Sequence, residues 1–193
     1  ASSSLPELPM TEPVTPPLVV VSPVGLGDLA AISDLHARVF GPGRFTRTAY
    51  RVREGTAPVS RFCLKALLAG RLVAVVRFTE ITIGGSGEAA MLGPLAVEPA
   101  HAGLGYGKRL VAEGVAACRR AGLGLVVLVG NEPYYGRFGF KQLPPGRIWL
   151  PGPVEPGRLL AAGLQEGAGR LAGLVAAAPV ARLLPDGTRP QGT

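Results

Sequence analysis

A proline sits in the middle of the apolar run AAMLGPLAV, Ala89 to Val97. The run has the composition of a buried strand, yet Pro94 has no N–H to give to a ladder, so the sheet is predicted to bulge or splay beside it. A splayed sheet leaves strand backbone unpaired. Downstream, HAGLGYGKRL (His101 to Leu110) carries Gly103, Gly105 and Gly107 at alternate positions and then two cations. A helix follows from Tyr106 to Ala121, with Leu110, Val111, Gly114, Val115, Ala117, Cys118 and Ala121 on one face. Lys108, Arg109, Glu113, Arg119 and Arg120 take the other face, so the helix packs one side on a sheet. LGLVVLVG then supplies a second buried strand. This strand-helix-strand unit predicts a mixed sheet covered by helices.

The first turn of such a helix leaves backbone N–H groups unpaired and carries a partial positive charge. Glycines in front of it let a ligand approach the backbone, and an anion is the expected occupant. Spacing excludes the two common phosphate loops. A P-loop needs a hydroxyl after Gly-Lys, where this chain has Arg109. A dinucleotide fingerprint needs a third glycine three residues on, where it has Lys108 or Leu110. The remaining readings are a tight turn without a ligand, and a site in which unpaired strand backbone holds an extended, amide-bearing ligand while the helix takes its phosphates.

Elsewhere, LVVVSPV (Leu18 to Val24) reads as a strand. A helix follows with Leu29, Ile32, Leu35 and Val39 at helical spacing and Asp28 as its cap. Arg44 to Glu54 gives a second, more basic helix, whose Arg44, Arg47 and Arg51 read as a solvated face ahead of an acid-binding one. His36 reads as a packed or surface side chain. From Ser60 two strands form a hairpin about Ala69-Gly70, Gly84 to Glu88 is a loop, and EPYYGRF is a short helical turn. RLLAAGL (Arg158 to Leu164) scores as helix by propensity, and Gly167 to Ala178 is ambiguous. The element order is βααβββαβαβ.

At 193 residues the chain has the size of one domain, and its 28 Gly and 19 Pro imply many turns. Cys63 and Cys118 have no second thiol or histidine nearby, which argues for buried small side chains and against a metal site or disulfide framework. A formal charge of +7 suggests an acidic partner, but the cations are spread evenly, with no basic run to mark specific nucleic-acid binding. No uncharged stretch approaches the ~18 residues of a membrane helix. The first 17 residues read as a disordered Pro/Ser-rich tail without the basic start and apolar run of a secretory signal, so a cytoplasmic location is expected, with residues 18–193 as one domain.

The run LGPLAVEPAHAGLGYGKRL, followed by VVLVGNEPYYGRFGF, resembles the GNAT superfamily of acetyl-CoA-dependent N-acetyltransferases, and within it the YhbS-like bacterial branch. The likeness is strong from Met91 to Phe140 and extends back to Val19. The family signature, Arg or Gln, two residues, Gly, one residue, Gly or Ala, falls on Ala102 through Gly107; Gly105 and Gly107 fit, and Ala102 departs from it.

The resemblance implies an α/β (α+β) single domain, a mixed central sheet of about seven strands splayed near Pro94, helices on both faces, and RLLAAGL as a late strand. It implies acetyl-CoA as co-substrate without a metal, with phosphates on the backbone N–H groups of Gly103, Gly105, Gly107 and Lys108 and with Leu104, Tyr106 and Asn131 among the cofactor contacts. Leu95, Ala96 and Val97 would lie along the pantetheine arm, the Val97 N–H would polarise the thioester carbonyl, and Leu125 to Gly130 would diverge from that strand. The general acid would be Tyr135, five residues before Phe140, with Tyr134 as the adjacent alternative and aromatic packing as the bland reading of both.

The acceptor would be a primary amine on a small molecule or protein, attacking directly in a ternary complex. Its pocket would be lined by the first two helices and the segment after Phe140. Glu80 and Glu88 are candidate bases, which strand alternation explains equally well as solvent-facing side chains. A catalytically silent acyl-CoA-binding module is the rival reading, a nucleic-acid-binding protein a distant third. Neither a membrane partner nor a specific nucleic acid is expected, and a homodimer is left open.

Overall fold

Three stretches, residues 18–43, 48–155 and 157–179, are described by a computed structural model. The 1–17 segment, Arg44 and Arg47 lie outside the described residues. The spine of the sheet is β3 (Arg71–Ile83), flanked by β2 (Leu64–Leu68) and β4 (Ser86–Val97), with β1 (Val19–Pro23) outside β2. Beyond β4 come β5 (Leu125–Val129), β8 (Leu159–Gly163) and the short β6 (Lys141–Gln142), giving the order β1-β2-β3-β4-β5-β8-β6. β7 (Ile148–Trp149) pairs with β9 (Gly173–Ala177), which in turn pairs with the end of β3. Along the main path only β4 and β5 run parallel, as the strand-helix-strand reading requires.

Helices cover both faces. α3 (Tyr106–Arg120) buries Leu110, Val111, Gly114, Val115 and Cys118 against Val76, Phe78, Ala90, Leu92, Val126 and Leu128. On the other face, α1 (Leu29–Phe40) sets Ile32 and Leu35 against Val75 and Ala96, and α2 (Thr48–Arg53) packs Val52 with Ile81, Met91 and Val127. Both cysteines are buried and free, and burial pushes the Cys118 thiol up to about 12, which suits a packing role. Among the described residues no helix is long and apolar enough to cross a membrane, and no group of His, Cys, Asp or Glu could hold a metal ion.

The bulge predicted from Pro94 is present. Val76 faces Leu95 across the β3–β4 ladder while Phe78 faces Leu92, so β4 carries one residue too many at Gly93–Pro94. β4 then pairs with β5 only from Ala89 to Met91, against Leu125 to Val127, before the two strands part.

Three local expectations change. The Gly84–Glu88 loop shrinks to a two-residue hairpin turn, because Gly84 and Gly85 both adopt positive φ and let Ile83 pair directly with Ser86. The second helix is a single short element, Thr48–Arg53, in its described part. Asp28 does not cap α1 through its side chain; its carboxylate accepts from the Gly25 N–H at 2.7 Å and from Lys65 Nζ at 2.6 Å. RLLAAGL is the strand β8, as the family resemblance implies and against its helical propensity, since it lies between β5 and β6 with Leu160, Ala161 and Ala162 all buried. The ambiguous 167–178 segment supplies β9.

Candidate active site

The parting of β4 from β5 opens a cleft of about 1080 Å³. Its walls include Leu92 to Leu95 of β4, Val129 to Asn131 at the end of β5, and Tyr134 and Tyr135 of α4 (Glu132–Tyr135). The β4 backbone faces this gap in a defined way. The Glu98 N–H donates to the Val73 carbonyl at 2.7 Å, so these residues form a hydrogen-bonded pair. Alternation along the antiparallel ladder makes Val75–Ala96 the next such pair, and turns the N–H and C=O of Leu95 and Val97 away from β3 toward the side β5 has left. Ala96 points the other way: its backbone engages β3 and its side chain is buried beneath α1.

At the edge of the gap stands the N-terminus of α3. Gly105 is its cap residue, at φ 88°, a left-handed conformation that favours glycine. The first intrahelical bond runs from Arg109 N to Gly105 O, so the N–H groups of Tyr106, Gly107 and Lys108 have no intrahelical acceptor, and no side chain caps them. Leu104 and Lys108 are exposed, and nothing lies within 4 Å of where side chains at 103 and 105 would start. Gly107 is different. A Cβ there would stand 3.1 Å from Val97 Cγ2, 3.2 Å from the Tyr134 hydroxyl and 3.5 Å from Leu95 Cδ2, so the bare backbone lets the helix end, the β4 edge and Tyr134 meet. The glycine loop does not itself line the cleft; it adjoins it through these contacts.

The two tyrosines are half-buried and meet edge to face, 4.8 Å between ring centroids. Tyr135 lies against Gly130, where a Cβ would come within 2.6 Å of its ring, and against Phe140 at 6.0 Å. Burial, with the neighbouring Tyr134 second, pushes the Tyr135 hydroxyl up to about 12. Burial also raises Tyr134, opposed by the Arg137 guanidinium. Asn131 is exposed at the start of α4, and its carbonyl accepts from the N–H groups of both tyrosines at 3.1 Å.

The opposite wall of the cleft comes from α1, α2 and Pro153, Val154, Glu155 and Arg158. Neither candidate base lies there. Glu80 is held by Arg61 at 2.9 Å, and Glu88 sits exposed at the start of β4, where the sheet is still closed. Arg51 is not among the walls, whereas His36, Arg53, Arg77 and Glu155 are. None of these four was singled out for the site by spacing.

Residues 29–140 match the acetyltransferase (GNAT) family, and the chain belongs to that family. It is 30% identical over 117 residues to YjhQ of Escherichia coli K12, named as an uncharacterized N-acetyltransferase, with 59% of this chain and 65% of that one covered. It is 32% identical over 73 residues to YhbS of the same strain, named in the same way, with 37% and 44% covered. The matched segments thus span less than two thirds of the length of these curated relatives. Among solved structures, Escherichia coli YhbS in complex with CoA superposes with a TM-score of 0.69 at 25% identity, over 87% of this chain and 93% of that one. A GNAT acetyltransferase from Brucella melitensis in complex with acetyl-CoA gives 0.55 at 29% identity, over 79% and 98%.

Proposed function

We propose that the protein transfers the acetyl group of acetyl-CoA to a primary amine by direct attack in a ternary complex. The observation that carries this reading is the outward-facing backbone of Leu95 and Val97 beside the uncapped first turn of α3. Strand-like hydrogen bonds to an extended amide-bearing arm and an N–H cradle for a diphosphate are supplied there side by side. The CoA-bound and acetyl-CoA-bound relatives support the same co-substrate.

Acetyl-CoA supplies the activated acyl group. The N–H groups of Gly103, Gly105, Gly107 and Lys108 hold its diphosphate, with Leu104, Tyr106 and Asn131 at its borders. The Val97 N–H polarises the thioester carbonyl, a donor fixed before reaction. The amine nitrogen bonds to the carbonyl carbon, the C–S bond breaks, and Tyr135 gives its proton to the departing sulfur, taking another from solvent afterwards. The surplus proton of the amine leaves to water, since no carboxylate base stands at the described centre of the cleft.

The test is acetyl-CoA binding by calorimetry. Lys108→Glu places an anion at a helical first-turn position that accepts one well, so the fold is retained. Position 105 is less suitable, because its φ strains any side chain. Binding by the parent, and a Kd raised about tenfold or more in Lys108→Glu at low salt, are expected. No binding by the parent overturns the reading. Binding without turnover on any of a broad amine panel assigns a silent acyl-CoA-binding module instead.

A further inference from the structure

The cleft lining holds two arginines, Arg53 and Arg77, that no carboxylate among the described residues neutralises. Arg53 closes α2, and its Nη2 lies 3.3 Å from where a side chain on Gly93 would begin, over the β4 bulge. Its Nε is fully buried and has no hydrogen-bond acceptor among the described residues. Arg77 stands on β3 between Val76 and Phe78, the two residues across which the register shifts. Its Nη2 donates to Thr56 Oγ1 at 3.0 Å and to the Ala57 carbonyl at 2.9 Å, while the Thr56 hydroxyl donates to the Arg53 carbonyl at 2.7 Å. This chain of contacts ties the end of α2 to β3 and anchors the backbone from which the Arg53 side chain starts.

Among the described residues neither arginine has an acidic partner. The acid in the cleft wall is Glu155, which is exposed and faces Arg158 at 3.9 Å. Burial, with the Arg77 charge second, lowers the Arg53 guanidinium to about 10, still a cation at neutral pH. A half-buried cation with an unused N–H is costly to maintain unless an anion completes it, and a guanidinium fork matches a carboxylate or phosphate in two-point contact.

We propose that the acceptor amine carries an anionic oxygen group, a carboxylate or a phosphate, which Arg53, on a backbone anchored through Thr56 by Arg77, binds beside the β4 bulge. The inference rests on the reading of this cleft as the acceptor site. Among the described residues it also removes the need for a carboxylate base at the centre of the cleft: an anchored amine facing this cationic wall is disfavoured as ammonium and favoured as the neutral nucleophile.

The experiment observes Arg53 directly in the full chain. The arginine Nε–Hε signals are recorded by 15N NMR, and that of Arg53 is assigned by its loss in Arg53→Lys. β-Alanine, L-glutamate and O-phosphoethanolamine are titrated in, with propylamine and ethanolamine as neutral counterparts. A saturable shift of the Arg53 signal with the anionic amines alone is expected, and the carboxylate and phosphate arms tell which group is preferred. No saturable shift up to about 50 mM, or an equal response to the neutral amines, overturns the inference. In turnover, Arg53→Gln should raise KM for the anionic acceptor about tenfold or more while kcat changes less; an unchanged KM overturns it as well. A chain that acetylates nothing yet shows the shift fails only as a transferase. A chain that acetylates neutral and anionic amines alike, without the shift, fails only here.

Discussion

The ring of Phe78 on β3 occupies the space that a side chain at position 114 of α3 would need; a methyl group on Gly114 would run into its Cε2 edge. Here the helix comes down onto the sheet, and a residue poor in helix propensity is kept because the aromatic ring beneath it fills the layer.

Gly114→Ala therefore loses more by overpacking than it gains in propensity, with a net destabilisation of about 1–3 kcal/mol. Urea unfolding measures it. Phe78→Leu in the same chain should recover part of the loss, because the two changes share one contact. A Gly114→Ala variant as stable as the parent would contradict the close approach.

Replacing Tyr135 by Phe keeps the ring packed on Gly130 and Phe140 and removes the proton. Turnover should fall about 10²-fold or more while acetyl-CoA affinity holds. The Tyr134 hydroxyl, beside Gly107 at the helix end, should act on CoA affinity by a few-fold, with a far smaller effect on kcat. Steady-state kinetics with calorimetry separate the two. Full turnover in Tyr135→Phe would remove this residue from the mechanism.

The same burial fixes the pH behaviour. A proton donor works only in its protonated form, so activity through Tyr135 is lost as pH rises through its pKa, here pushed up to about 12. The rate should climb with pH as the amine deprotonates and then hold to about pH 10, where an unperturbed tyrosine would be half ionised. An alkaline decline near pH 9, absent in Tyr135→Phe, would show a far more acidic hydroxyl.

Local chemistry made part of this legible in sequence. Pro94 cannot donate, so the bulge followed from one residue, and the glycines before Lys108 marked the helix end. The family likeness added Tyr135 and the strand nature of Leu159–Gly163, where propensity alone pointed to a helix. Arg53 and Arg77 are not legible as a pair in sequence, because they lie on separate elements and meet only where the residues after α2 reach β3 through Thr56 and Ala57. Sequence leaves Glu80 and Glu88 open between base and solvent-facing side chain for a related reason. Alternation tells which face of a strand a residue takes, not which end of the sheet opens, and both stand at the closed end.

β3 shares one of its edges between two strands from distant parts of the chain: β2 covers its first half and β9 pairs with Ile81, Thr82 and Ile83. During synthesis at roughly 5–20 residues per second, β2 is available before β3 leaves the ribosome, but β9 follows only after several seconds. For that interval a mostly apolar strand edge stands open to any other chain that presents a complementary one. One exposed edge during synthesis therefore lies at these three residues, and a nascent chain that stalls before position 173 is a species on which aggregation, or a chaperone, would act.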